Sequence, residues 1–419
     1  MRRASLLMLL VLGLACGDDD GMTTDDAGTM ADGGSGEDAG TDAGPACETG
    51  ETPLARGEIA ALIDETRGRI VVHGGNVAEP EMCMPRTTLT TEVWVYDLAC
   101  ESWEMVATTG GGPGERARHH LVHDTSRDRY LAFGGRVPAG GGNYTHFADV
   151  FELDPETWTW SEIATNGDAP SGRSNSGVVY DEARDQLVVY GGNSSASGLS
   201  PTGLDDLFVL DLATNRWREI TAEGAPMGRY YHAVAIAGDT LYVAGGAASF
   251  VTYFNDVWAF DLVAETWTRV RGGGPDAPPV RFGPALFAAE DGSRLVMAAG
   301  HDSTAMGNIN DLFVLDLATT DWTPVTTGDE LNGEPLGPCR FPADFTIPDT
   351  EAPERRHGFG YVQGGGTGYV IWGKGDCGNL NDVWAIDLAS PEWALHGAAT
   401  TAGEACNRSG STMCTELCF

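Results

Sequence analysis

A twelve-residue phrase recurs six times in this chain of 419 residues, and its internal spacing never varies. An acidic residue opens it, an apolar pair or triple follows, an Asp stands five places on, and a Trp stands six beyond that. The copies are Glu92/Asp97/Trp103, Asp149/Asp154/Trp160, Asp206/Asp211/Trp217, Asp256/Asp261/Trp267, Asp311/Asp316/Trp322 and Asp382/Asp387/Trp393. Spacing held over six copies marks a repeat architecture, in which one unit cannot bury its apolar surface alone and its neighbours complete the core.

Each copy has an upstream half. A short apolar run ends in a small-residue pair at Gly74–Gly75, Gly134–Gly135, Gly191–Gly192 and Gly245–Gly246, and the last two copies read Ala299–Gly300 and Gly373–Lys374. Arg56, Arg116, Arg173, Arg281 and Arg355 lie eighteen places before that pair, and Arg229 lies sixteen before. Runs of four to seven β-branched and aromatic residues, bounded by Gly, Asp and Asn, predict four short strands per unit. The Gly pair permits positive φ where a central strand ends. The Asp after the third strand closes an Asx turn, and the Trp offers apolar area to bury between units.

This combination of upstream Arg, double Gly, acid and spaced Trp resembles the kelch-repeat family. The resemblance implies an all-β, six-bladed kelch-type β-propeller over residues 53–397, each blade contiguous from Arg to Trp. A long insertion, about 326–353, precedes the sixth copy. Kelch propellers include binding modules and enzymes. The reading taken is a protein- or carbohydrate-binding scaffold that uses one loop face and an Arg-lined channel mouth, monomeric and without a cofactor. The alternative is an envelope carbohydrate-active enzyme of the kelch type, a sugar epimerase or oxidase.

The chain opens with two Arg, an apolar run and Cys16. That pattern predicts a signal peptide over 1–15, too short for a mature membrane span, and resembles bacterial lipoprotein processing with lipid on Cys16. Residues 16–52 then form an Asp/Gly-rich linker, expected to be a disordered tether. Residues 398–419 form a Cys-rich extension. The expected location is the bacterial cell envelope, at the outer membrane or cell surface, with the membrane touched only through the anchor.

The formal net charge is −36, and residues 51–419 alone carry 51 acidic against 23 basic side chains. Nucleic acid is therefore excluded as a general partner. Beyond Cys16 there are eight cysteines: Cys47, Cys83, Cys100, Cys339, Cys377, Cys406, Cys414 and Cys418. An even number in an exported chain predicts disulfides. All eight fall in the first unit, the last unit or the terminal segments, so the expectation is that they fasten the seam of the ring, with Cys339–Cys377 paired first. A zinc site from Cys406, Cys414 and Cys418 is the weaker alternative.

His119, His120 and His123 cannot share one metal on a strand, because His119 and His123 lie roughly 13 Å apart and His120 faces the other way. No metal is assigned. No nucleophile elbow, phosphate loop or zinc helix is present. Asymmetry is greatest in the loops 76–91, 136–147, 193–204, 247–254, 301–309 and the insertion 326–353, among which Tyr144, His146, Phe250, Tyr253 and His301 are candidate ligand contacts. The motif arginines Arg56, Arg116, Arg173, Arg229, Arg281 and Arg355 are expected around one mouth of the channel. There they form either an anion site for a protein or glycan ligand or a set of structural staples.

Overall fold

A computed structural model describes residues 47, 50–78, 87–302, 307–329, 340–342, 351–375, 378–398 and 413–415. The expected signal peptide, Cys16 and residues 17–46 of the expected linker, together with Cys83, Cys339, Cys377, Cys406 and Cys418, lie outside these residues.

The first unit shows the rule that the others follow. Strands Ala60–Asp64, Arg69–His73, Val93–Asp97 and Ser102–Val106 pair antiparallel in chain order. The second, third and fourth units form separate sheets with the same meander. Two of these gain a short parallel outer strand, Thr109–Gly110 and Asn166–Gly167, which covers an otherwise open edge. The fifth and sixth units belong to one nine-stranded sheet, in which Arg356–His357 pairs with Ile309 on one side and with Lys374 and Gly375 on the other. Among the described residues the only helical element is a 3-10 turn, Glu182–Arg184. The fold is an all-β propeller.

The repeated residues hold it in three ways. Asp97, Asp154, Asp261, Asp316 and Asp387 each accept two backbone N–H groups, at 2.7–3.2 Å, from the turn that follows. The repeated Trp packs across units: Trp160 on His73, Trp217 on Phe133 and Trp267 on Tyr190, with ring centroids 5.2, 5.6 and 5.0 Å apart. Trp103 of the first unit meets Trp372 of the sixth at 4.7 Å. The pair has positive φ throughout, and in five of the six the second residue bonds to the next unit. Gly75, Gly135, Gly192 and Gly246 donate to the carbonyls of Arg116, Arg173, Arg229 and Arg281, and Gly373 donates to that of Arg56 at 3.0 Å.

The sixth pair corrects the sequence reading by one residue. Trp372 and Gly373, at φ 57° and 121°, occupy the pair position, not Gly373–Lys374. The reason lies in the preceding hairpin. Gly364 pairs with Thr367 across the two-residue turn Gly365–Gly366, as Ala237 pairs with Thr240 in the fourth unit. In the first unit Asp64 pairs with Arg69 across four residues. A two-residue turn shortens the Arg-to-pair spacing from eighteen to sixteen, so the sixth motif arginine is Arg356.

Cys47 and Cys100 form a disulfide. It ties the entering segment to the outer hairpin of the first unit, beside the Glu51–Trp103 backbone bond of 2.8 Å. The entering segment then crosses to the sixth unit, where Arg56 N donates to Leu380 O and Asn381 Nδ2 to Pro53 O. Strand Met413–Thr415, which carries Cys414, pairs with Arg340–Pro342.

Candidate functional site

The motif arginines do not open onto a ligand. Arg56, Arg116, Arg173, Arg229, Arg281 and Arg356 are each at most 2% exposed. Their guanidinium groups pair with Glu92, Asp149, Asp206, Asp256, Asp311 and Asp382, the acids that open the third strands, at 2.5–2.8 Å. Five also donate to the carbonyl of the first pair residue, at 2.9–3.1 Å. A fork used in this way has no face left for an anion. The expected cationic mouth at Arg56, Arg116, Arg173, Arg229, Arg281 and Arg355 is thus replaced by six buried staples, each within one unit, and Arg355 is not one of them.

The mouth is built two residues further on. Glu58, Arg118, Asn175, Tyr231, Gly283 and Gly358 all sit at φ 54–61°. Their backbones join in a chain around the axis: Arg118 N to Glu58 O, Asn175 N to Arg118 O, Tyr231 N to Asn175 O, Gly283 N to Tyr231 O, and Glu58 N to Gly358 O, at 2.6–3.3 Å. The conformation repeats in all six units, while the side chain differs among the first four and is absent in the last two. Below this ring the inner strands enclose an axial cavity of about 700 Å³.

Beside the ring three loops form one wall. Strands Arg136–Gly140 and Asn143–His146 make a hairpin. Tyr144 N donates to Ala196 O at 2.8 Å, and Gly198 N to Gly142 O at 2.9 Å, which zips the hairpin to the next loop. Gly203 N donates to Ala248 O at 3.0 Å and joins the Ala247–Ser249/Thr252–Tyr253 hairpin. Between wall and ring lies a pocket of about 330 Å³, lined by Arg118, Arg136, Tyr144, Tyr231, Tyr253 and Phe282 among others. Leu199, Phe250 and Val251 stand exposed on these loops, at 81%, 46% and 87%.

The electrostatics are asymmetric. Glu58 pairs with Arg118 at 2.5 Å and with Lys374 at 3.0 Å. Burial pushes the Glu58 carboxyl up, but Arg118, Lys374 and Arg136 outweigh it and hold the group well below the ordinary range. Arg118 lies 4.7 Å from the Tyr231 ring centroid, and Arg136 lies 3.7 Å from that of Tyr144. Burial, with Arg118 nearby, pulls Arg136 down to about 10, so both remain cations at neutral pH. Burial, then His301, holds His357 well below its usual value. Both His357 Nδ1 and His301 Nδ1 meet Asn308 Oδ1, at 2.8 and 3.2 Å.

Of the loop candidates, Tyr144, Phe250 and Tyr253 line the pocket. His146 is engaged by Ser195 O at 2.9 Å, and His301 sits behind Phe282 with ring centroids 4.8 Å apart. His119 meets His73 at 2.8 Å, His123 meets Asp128 at 3.3 Å, and His120 lines the axial cavity. Among the described residues no three His, Cys, Asp or Glu converge as metal ligands. Sequence reading missed Arg118, Arg136, Glu58, Tyr231 and Lys374. The available signal was their register. They occupy the position two after the motif Arg or the one just after the small pair, two registers at which the residue type varies between units.

Two overlapping stretches, residues 45–224 and 139–340, match the model of the KLHDC2/KLHL20/DRC7 Kelch-repeats domain. The chain belongs to the kelch-repeat family. Among curated relatives, acyl-CoA-binding domain-containing protein 4 of Arabidopsis thaliana is 27% identical over 284 residues, covering 67% of this chain and 39% of that protein. Kelch domain-containing protein 10 of Xenopus tropicalis is 25% identical over 291 residues, covering 67% and 64%. The kelch chain thus spans less than two thirds of the length of these relatives. Among solved structures, that of YjhT superposes with a TM-score of 0.60 at 15% identity, over 83% of this chain and 99% of that one. That likeness concerns the fold.

Proposed function

We propose that this chain is an exported, lipid-anchored propeller of six blades that binds a protein partner on the loop face of its second to fourth units. The Arg118/Arg136 pocket takes an anionic group of that partner. The observation that carries this reading is the pocket itself: two guanidinium groups among aromatic walls, rimmed by exposed Leu199, Phe250 and Val251, in a chain of net charge −36. A central pocket surrounded by exposed apolar tips is the anatomy of a recognition surface. The six-blade count is supported by six meanders of one strand order and by the bonds from the sixth unit to the first. The anchor rests on Cys16 and the apolar segment before it, and intact-mass measurement of the exported chain reads whether an acyl group is present.

Binding fits the pocket better than proton transfer does. Glu58 is fixed as an anion and His357 as a neutral ring, so neither is poised near neutral pH. The test uses the full chain against acidic and neutral peptides by fluorescence polarisation. Acidic peptides should bind, and the L199S/V251S variant should weaken them with an unchanged melting temperature. Binding that survives both substitutions refutes the loop-face reading. Retention of glycans alone, with the same sensitivity, would replace the protein partner with a carbohydrate.

A further inference from the structure

Four charged side chains, Glu58, Arg118, Arg136 and Lys374, lie within electrostatic reach of one another, and Arg118 lines both the pocket and the axial cavity. Arg118 and Lys374 both pair with Glu58, at 2.5 and 3.0 Å. The Arg136 guanidinium stacks on the Tyr144 ring at 3.7 Å, and among the described residues no carboxylate forms an ion pair with it. Three cations therefore share one carboxylate, a local excess of two positive charges. Uncompensated charge away from water is costly, and a ligand that cancels it recovers that cost. A single carboxylate would cancel half of the excess.

Granted that this pocket binds an anion, we infer that its anchor group is a tetrahedral dianion of the phosphomonoester type, not a lone carboxylate. Such a group presents three terminal oxygens, enough for two guanidinium forks at once. Arg118 is already oriented by Glu58 and by the Tyr231 face, and Arg136 by the Tyr144 face, so neither must be ordered on binding. The depression of Arg136 toward 10 by burial and by Arg118 fits a cation that waits for a counter-charge.

The probes are methyl phosphate, inorganic sulfate and acetate, titrated calorimetrically into the full chain at pH 8 and low salt, where the phosphate ester is a dianion. Methyl phosphate and sulfate should each bind about tenfold or more tighter than acetate, one charge-assisted contact being worth at least that factor. R136Q should remove that preference, and R136K, which keeps the charge but loses the fork, should keep part of it. Acetate binding as tightly as methyl phosphate overturns the dianion inference and leaves the anion pocket standing. No binding by any of the three overturns both. Because the wild-type comparison stands alone, a poorly folded variant does not rescue the idea.

Discussion

Replacing Arg229 by Gln removes one buried staple and leaves its partner behind. Arg229 is fully buried, Asp256 has a side chain 12% exposed, and they meet at 2.8 Å. Removing one member of a buried pair costs about 3–5 kcal/mol, because the remaining charge loses its compensation. Asp256 keeps one donor, Trp258 Nε1 at 2.8 Å, so the loss belongs near the lower end of that range. The carbonyl of Gly245 also loses its donor. With about 2.1 cal/mol/K of unfolding entropy per residue, a propeller of this length should melt roughly 4–7 °C lower. Urea unfolding of the full chain gives the free energy, and calorimetry gives the melting temperature. Two controls bound the result. R229M/D256L, which removes both charges, should recover most of the loss. R218Q breaks the exposed pair with Glu265 and should change stability by about 0–1 kcal/mol. If R229Q unfolds within about 1.5 °C of wild type, the staple argument fails and the motif arginines return as candidates for ligand binding.

Two further outcomes follow from the same contacts. C47S or C100S should lower stability by about 2–4 kcal/mol, since the bridge closes a 53-residue span, and a denaturant midpoint equal to wild type would refute it. Asp256 and Glu58 both titrate below their ordinary 3.8 and 4.5 in the fold, Asp256 against its burial through Arg229, and Glu58 against its burial through Arg118 and Lys374. A depressed folded value stabilises above the ordinary one and fades as pH falls through the folded one, so unfolding free energy should stay level from pH 7 to about 5 and drop below about 4. A maximum below pH 4 in urea titrations would contradict this.

The fold was legible because its determinants repeat. The Asx turns and the cross-unit Trp each need one residue type at one register, the left-handed pair is Gly–Gly in four of six units, and the copies together expose those needs. Where one determinant was ambiguous, the reading slipped. Arg355 and Arg356 are adjacent, and only strand pairing across Gly365–Gly366 shows which one reaches Asp382. The Cys47–Cys100 bridge lay within the expected set, but its place within the first unit was not legible, because connectivity depends on where the entering segment lies. The pocket was hidden for a different reason. Arg118 and Arg136 are 18 residues apart in sequence and line one pocket because Ala117 pairs with Arg136 within the second unit.

That pairing separates what the repeat conserves from what it leaves open. Gly57, Ala117, Ser174, Tyr230, Phe282 and His357 pair with Asn76, Arg136, Asn193, Ala247, His301 and Lys374, one bridge per unit. The backbone around the mouth is therefore the same six times over, and the buried Arg–acid staples beneath it fix its geometry. A position with fixed backbone and free side chain lets chemistry change without refolding cost. In this chain those positions hold Glu58, Arg118, Asn175 and Tyr231 on one circle and Arg136, His301 and Lys374 on the next. A symmetric ring of six equal cations would select negative charge but could not distinguish one side of a ligand from another. The staples keep that symmetric set out of reach, and the two variable circles break the symmetry beside the second to fourth units, where the loop wall stands.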